Sequence, residues 1–118
     1  MGTFRVRIEI GDPQGETFQP VEALVDTGAS HTVLPASFLQ SLGVEPDERA
    51  SFKLADGRMV DYDVGQTWVR IDGRRRMTVV VFGDDGIEPL LGAVTLEEFR
   101  LAADPVQRRL VSVPGLLM

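Results

Sequence analysis

The chain has no cysteine, and among its 118 residues it has a single lysine and a single histidine. The absence of cysteine excludes disulfide bonds and thiolate metal ligands, and it is typical of proteins in a reducing cytoplasm. No apolar run approaches the roughly 18 residues that a membrane-spanning helix requires. The first residues also lack the apolar segment of a secretory signal peptide. We therefore expect a cytoplasmic protein without a membrane partner.

Positive charge is scarce as well. Twelve Lys and Arg residues stand against eighteen Asp and Glu residues, which gives a formal net charge of -6. An acidic chain without a concentrated basic face is poorly suited to binding nucleic acid, so we expect no nucleic-acid partner. The length and the 43% content of hydrophobic residues are typical of one globular domain. We interpret residues 1–118 as that single domain.

Short segments with alternating or β-branched apolar residues dominate the pattern. Such segments, bounded by Gly, Pro and Asp, predict strands, and a chain with about eight strands and few helices predicts an all-β fold built as a closed or rolled sheet. The Arg run 74–76 is interpreted as a solvated turn. The predicted strands are Thr3–Ile10, Thr17–Val25, His31–Leu34, Ala50–Leu54, Arg58–Val64, Gln66–Ile71, Met77–Phe82, Leu101–Ala103 and Leu110–Val113.

Two short helices are predicted between these strands. Pro35 and Gly43 stand at the two ends of the segment Ala36–Leu42, as expected for residues that start and stop a helix. Thr95 is followed three positions later by Glu98, which matches a capping box and predicts a helix over Thr95–Arg100.

Asp26 carries a charge in an unusual place. It follows the apolar segment Ala23–Val25 directly and precedes a glycine turn, although Asp is depleted in strands and an unpaired buried carboxylate is very costly. In one interpretation the side chain faces water and stabilises its own turn by an Asx contact. In the other, the carboxylate has a partner.

The segment Leu24–Ser30, which contains Asp26-Thr27-Gly28, resembles the active-site loop of retropepsin-like aspartic proteases. Leu90-Leu91-Gly92 resembles the second signature of that family, two apolar residues and a glycine before a short helix. Between them, Leu54–Arg58 lies where the family has its flap hairpin. The tripeptide alone occurs by chance, but the ordered set covers nearly the whole chain. The helical segment after Pro35 and the tail to Met118 are more similar to bacterial or cellular members than to viral ones.

The resemblance implies a role for each matching residue. Asp26 would activate a water molecule together with a second carboxylate, the two sharing one proton. The Thr27 hydroxyl would brace two active-site loops against each other, and Gly28 would let the backbone approach closely. His31 is interpreted as a structural or rim residue. No cofactor and no metal are expected. The implied substrate-binding residues are Ala29, Ser30, Ala55, Asp56, Gly57, Leu90 and Leu91.

The chain contains only one Asp-Thr-Gly. A pair of catalytic carboxylates therefore requires a second chain, which predicts a two-fold symmetric homodimer with the site on its axis. The hairpin around Asp56-Gly57 would close over an extended peptide, recognised as an added strand. The sequence thus predicts a homodimeric aspartic endopeptidase. The alternative is a domain of the same fold that dimerises or binds peptides without cutting them.

Overall fold

Nine strands and two short helices follow one another in the computed structural model, which describes residues 3–115. Within these residues, neither helix has the length and apolarity needed to cross a membrane. The elements are β1 (Phe4–Gly11), β2 (Phe18–Val25), β3 (Thr32–Pro35), α1 (Ala36–Ser41), β4 (Glu48–Lys53), β5 (Met59–Ile71), β6 (Arg74–Gly83), β7 (Leu90–Leu91), α2 (Ala93–Glu98), β8 (Leu101–Asp104) and β9 (Arg109–Ser112).

Seven of the strands form one sheet in the order β1-β2-β7-β3-β6-β5-β4. The long strand β5 also pairs with β1, through Glu9 opposite Arg70 and Ile10 opposite Val69, and this pairing closes the sheet on itself. The Arg70 guanidinium donates to both carboxylate oxygens of Glu9 across the seam, and these hydrogen bonds lower the pKa of Glu9. The prediction of an all-β fold with a closed or rolled sheet is confirmed.

The core lies inside the closed sheet, because alternate residues of each strand point inward. In β1 the inward residues Phe4, Ile8 and Ile10 are at most 2% exposed, while Arg5 and Arg7 face the solvent. Val69 of β5 and Val80 of β6 are fully buried from the opposite wall. Both helices close the structure, through Leu39 of α1 and Leu96 of α2.

The placement of β7 sets up the site. The strands β2 and β3 flank the loop that carries Asp26, and the two-residue strand β7 lies between them, parallel to β2 and antiparallel to β3. Its partners are Leu24 opposite Leu90, Val25 opposite Leu91 and Val33 opposite Leu90. The segment Leu90–Gly92 is thereby packed directly against the Asp26 loop, although more than sixty residues separate them in sequence.

Two of the sequence-based predictions are wrong. The second helix begins at Ala93, two residues before Thr95, and Thr95 makes no capping contact. Its side chain is fully buried and bonds to two other threonines, since the helix turns this residue into the core. The Arg run 74–76 belongs to β6 and not to a turn, because Asp72 and Gly73 alone make the β5–β6 connection.

Candidate active site

The Asp26 loop is a tight turn held at the end of β2. The Asp26 N–H donates to the carbonyl oxygen of Leu91 at 3.2 Å, which continues the pairing of β2 with β7 for one residue. The Ala29 N–H then donates to the Asp26 carbonyl at 3.0 Å. The Gly28 N–H donates to Oδ1 of the Asp26 side chain at 3.0 Å. This last bond orients the carboxylate, which is half-buried.

The back of the loop is tied to the start of α2. The N–H groups of Ala93 and Val94, at the start of that helix, donate to the carbonyl oxygens of Ala29 and Ser30, each at 2.9 Å. The first N–H groups of a helix have no partner within the helix, so this contact satisfies them and fixes the loop at the same time.

A cluster of three buried threonine side chains lies beneath these contacts. The Thr95 hydroxyl bonds to that of Thr32 at 2.7 Å and to that of Thr78 at 3.1 Å. Thr32 in turn accepts the N–H of Gly92 at 3.1 Å. All three threonines are at most 2% exposed. Among the described residues, no buried side-chain nitrogen or oxygen lacks a hydrogen-bond partner.

Position 92 requires glycine because a side chain would clash with neighbouring backbone, and not because of its backbone angles. A Cβ atom added to it would lie 2.5 Å from the carbonyl oxygen of His31, a separation that real Cβ atoms essentially never show. The backbone of the Asp26 loop therefore passes directly over this glycine. The position of the glycine after two leucines in the sequence reflects this close approach.

The front of the loop is open. Thr27 and Gly28 are exposed, and together with the half-buried Asp26 they line a cavity of about 820 Å³. The remaining lining residues are Thr3, Val25, Ala103 and Pro105, so Asp26 is the only titratable side chain in this cavity among the described residues. A Cβ atom added to Gly28 would lie 3.2 Å from Oδ1 of Asp26, closer than is usual.

A second cavity of about 310 Å³ adjoins the first at Gly28 and forms a cleft under the β4–β5 hairpin. Of the predicted substrate-binding residues, Ala29, Ser30 and Leu90 line it. Its floor and walls are mainly apolar. The other lining residues are His31, Val33, Phe52, Lys53, Leu54, Tyr62, Val81 and Ile87.

Leu91 was predicted to contact substrate, and for this residue the prediction is wrong. Leu91 is 0% exposed and belongs to the core, because successive residues of β7 point to opposite faces of the sheet. Leu90 faces the cleft, and Leu91 supports the Asp26 loop from below.

The predicted flap residues lie at the tip of the β4–β5 hairpin. Ala55, Asp56 and Gly57 are exposed there and do not line the cleft of the single chain. Gly57, with φ of +90°, closes a three-residue loop in which Leu54 bonds to Arg58. The backbone N–H of Arg58 and then its side chain donate to the Asp56 carboxylate, and both bonds lower its pKa.

Two aromatic residues at the base of this hairpin were not predicted as site residues. Phe52 packs edge-on against the ring of His31, with 5.6 Å between ring centroids, and Tyr62 lies 6.4 Å from Phe52. His31 also bonds through Nδ1 to the Ser30 hydroxyl at 2.9 Å. The sequence held a usable signal, since alternation within Ala50–Leu54 places Phe52 and Leu54 on one face of the hairpin.

The chemistry available to one chain is limited by the number of carboxylates. A single carboxylate can accept a proton from water, but it cannot at the same time donate one to a substrate. One chain thus presents a single carboxylate at an open surface, beside a mainly apolar cleft.

Comparison with known proteins agrees with this geometry. The sequence model of the family described as Aspartyl protease matches residues 6–95, which include Asp26, the β4–β5 hairpin and Leu90–Gly92. Among solved structures, the chain is similar to the solution structure of the simian foamy virus (mac) protease, with 22% identity and a TM-score of 0.57 over 80% of this chain and 93% of that chain. A search of curated proteins found no match. Since the family match spans most of its length, the chain belongs to the retropepsin-like aspartyl protease family.

Proposed function

We propose that the protein is a homodimeric aspartic endopeptidase that activates a water molecule between the Asp26 carboxylates of two chains. Its family and its fold support the coarser statement that it is a hydrolase of the aspartic protease type. In the proposed dimer the two carboxylates share one proton, because like charges at such short distance do not both ionise. One takes a proton from the water, and the other donates to the scissile carbonyl oxygen.

One observation carries this proposal. Asp26 is the only titratable side chain among the described residues that line the cavity at the front of the loop, and it faces that cavity half-buried. A turn carboxylate that served only its own loop would not need a closed sheet, a buried threonine cluster and a helix start behind it. A second copy of Asp26 would complete the acid–base pair that one chain lacks.

The cleft supports the choice of a peptide substrate. It begins at Gly28 beside the carboxylate and runs under the β4–β5 hairpin, with apolar side chains on its floor. An extended peptide that pairs with strand edges directs alternate side chains to one side, where such a pocket would receive one of them. Closure of the hairpin tip around Asp56-Gly57 would exclude water and add backbone hydrogen bonds.

The first experiment measures hydrolysis of a mixed peptide library by the wild type and by Asp26→Asn. We expect the substitution to lower kcat/KM about 1,000-fold or more, because the amide can neither accept the proton of water nor share one with its mate. The matched control is Asp72→Asn in the exposed β5–β6 turn, where φ is +52° and asparagine is well tolerated. It should retain wild-type activity.

The pH dependence distinguishes a pair from a single carboxylate. Hydrolysis should rise and then fall with pH between about pH 3 and 8, since only the singly protonated pair is active. A rate that changes in one direction only would contradict the shared proton. Sedimentation of the active protein should give a dimer, and activity in a strict monomer would end the proposal.

The alternative function is a dimerising or peptide-binding domain that does not cut. It would be favoured if the wild type and Asp26→Asn were equally inert towards the library. A statinyl peptide, which mimics the tetrahedral intermediate, separates the two readings further. A protease should bind it at least about 100-fold more tightly than Asp26→Asn does, whereas a binding domain would not distinguish the two.

A further inference from the structure

The cleft under the β4–β5 hairpin is not uniformly apolar. Most of its lining is aliphatic or aromatic, but His31 lies in its wall, directly after the Asp26 loop. This residue is the only histidine of the chain and is half-buried. The few polar groups of a mainly apolar pocket determine which ligand it accepts and in which orientation. His31 is therefore informative about the peptide side chain that enters the cleft.

His31 is held in place by two contacts. Its Nδ1 bonds to the Ser30 hydroxyl at 2.9 Å, and its ring packs edge-on against Phe52 with 5.6 Å between centroids. Among the described residues Nε2 has no hydrogen-bond partner, and no buried side-chain nitrogen lacks one, so Nε2 is open to solvent. The imidazole thus offers a free ring nitrogen from an ordered position, which lowers the entropy cost of binding through it.

The charges around the cleft favour an anion. No Asp or Glu occurs among the described residues that line it, although the chain has a formal net charge of -6. Its other ionisable lining residues are Lys53 and Tyr62. Lys53 is paired with Met59 on the face of the hairpin opposite to Phe52, so its side chain leaves outward. The Tyr62 hydroxyl donates to Asp84 at 3.4 Å, and Asp84 lines another cavity. The cleft itself therefore presents only neutral or positive groups.

From these features we infer that the cleft selects a glutamate side chain of the bound peptide and that His31 determines this specificity. The apolar floor covers the methylene groups of the glutamate, and its carboxylate accepts a hydrogen bond from the free ring nitrogen of His31. A carboxylate among apolar groups is costly unless it is paired, so the preference depends on the imidazole. The inference rests on the proposed function for the course of the peptide from Asp26 into the cleft.

The first test measures binding by Asp26→Asn, which is expected to hold peptides without cutting them. The probes are pools of short peptides in which one position at a time is fixed as Glu or as Gln and the other positions are mixed. At one position we expect the Glu pool to bind at least about tenfold more tightly than the Gln pool at pH 6. The reason is that a hydrogen bond to a charged group is stronger than one to a neutral amide.

Variants of His31 in the Asp26→Asn background identify the residue responsible. His31→Phe keeps a ring against Phe52 and removes the nitrogens, so the ratio of Glu to Gln binding should fall to about one. His31→Gln keeps an N–H donor without a charge and should give an intermediate ratio. The matched control is Tyr62→Phe, which removes another polar group of the cleft and keeps its ring. It should leave the ratio unchanged, and circular dichroism checks that each variant is folded.

A second test uses hydrolysis by the wild type. The ratio of kcat/KM for the Glu and Gln peptides does not contain the pH dependence of the Asp26 pair, because the same pair cuts both. Histidine is the side chain that ordinarily changes charge between about pH 5 and 8. The ratio should therefore fall as the pH rises through this range, because the charge-assisted hydrogen bond becomes a neutral one. The ratio for His31→Phe should not change with pH.

The inference and the proposed function fail separately in these experiments. Equal binding of the Glu and Gln pools at every position, or no binding of any pool, would overturn the inference. A Glu preference that is lost in His31→Phe, without hydrolysis by the wild type, would support the inference and contradict the protease. Hydrolysis by the wild type that does not distinguish Glu from Gln at any position would contradict the inference alone.

Discussion

The two sides of the Asp26 loop differ in how many of their polar groups form hydrogen bonds within the chain. Behind the loop, the buried Thr32 and Thr78 each form a hydrogen bond with the buried Thr95, and Gly92 lies in contact with the His31 backbone. In front of it, Thr27 and Gly28 are exposed at the edge of a large cavity. The Asp26 side chain has one hydrogen bond there among the described residues, from the Gly28 N–H.

This difference separates stability from activity. The groups behind the loop contribute to the folding of one chain, since their partners all belong to that chain. The groups in front contribute little to the folding of one chain, and in the proposed function they contact the second copy and the substrate. Substitutions behind the loop should therefore lower the free energy of unfolding, and substitutions in front should lower hydrolysis at unchanged stability.

The largest effect is expected for Gly92→Ala, behind the loop. The added Cβ cannot fit against the backbone of His31, so the Asp26 loop must shift, and we expect a loss of about 3 kcal/mol or more in the free energy of unfolding. Chemical denaturation measures it. Gly115→Ala is the control, because a Cβ there meets only Arg100 Cδ at an ordinary 3.7 Å. Equal stability of the two variants would contradict the close approach.

An intermediate effect is expected for Thr95→Val, which keeps the shape of the side chain and removes its hydroxyl. The buried hydroxyl of Thr78 then loses its partner, at a cost of about 1–3 kcal/mol in unfolding free energy. The double variant with Thr78→Val should recover part of this loss, because no orphaned hydroxyl remains at position 78. If the double variant lost as much unfolding free energy as the two single variants together, or more, the threonines would not act through this hydrogen bond.

The smallest effect on stability is expected for Thr27→Ala, in front of the loop. Its side chain is exposed, so the unfolding free energy of the monomer should change by less than about 0.5 kcal/mol. In the proposed dimer its hydroxyl braces the partner loop, so hydrolysis at low protein concentration should fall about tenfold, as expected for one lost hydrogen bond. Activity measured as a function of protein concentration tests this. A loss of unfolding free energy comparable to that of Thr95→Val would contradict the difference between the two sides of the loop.

Much of the fold could be predicted from local patterns. Alternation in β1 and the β-branched run of β6 identify strands because one or both of their faces are buried. Pro35 and Gly43 mark the ends of α1, where Gly43 adopts φ of +81°. The local pattern failed at Thr95, since a threonine three residues before a glutamate has the same spacing whether it caps a helix or lies inside one.

The site was predictable to the extent that its residues are contiguous. Asp26, Thr27 and Gly28 form one turn, and Ala29, Ser30 and Leu90 line the cleft. Their contact with substrate stays a prediction. Leu91 was misassigned because the direction of its side chain depends on the pleat of a two-residue strand. Phe52 and Tyr62 were missed because the contact of Phe52 with His31, and of Tyr62 with Phe52, depends on where the β4–β5 hairpin folds.

The sequence by itself determined the count of carboxylates, and therefore the need for a second chain if Asp26 is to work as one of a pair. It also determined the order of loop, hairpin and apolar segment that identifies the family. Only the tertiary structure decided which side of the Asp26 loop forms hydrogen bonds within the chain and which side is open. It also decided that the β8–β9 hairpin lines the same cavity as Asp26. The physical reason is that these properties depend on contacts between residues far apart in sequence, which are set by strand pairing and not by local propensity.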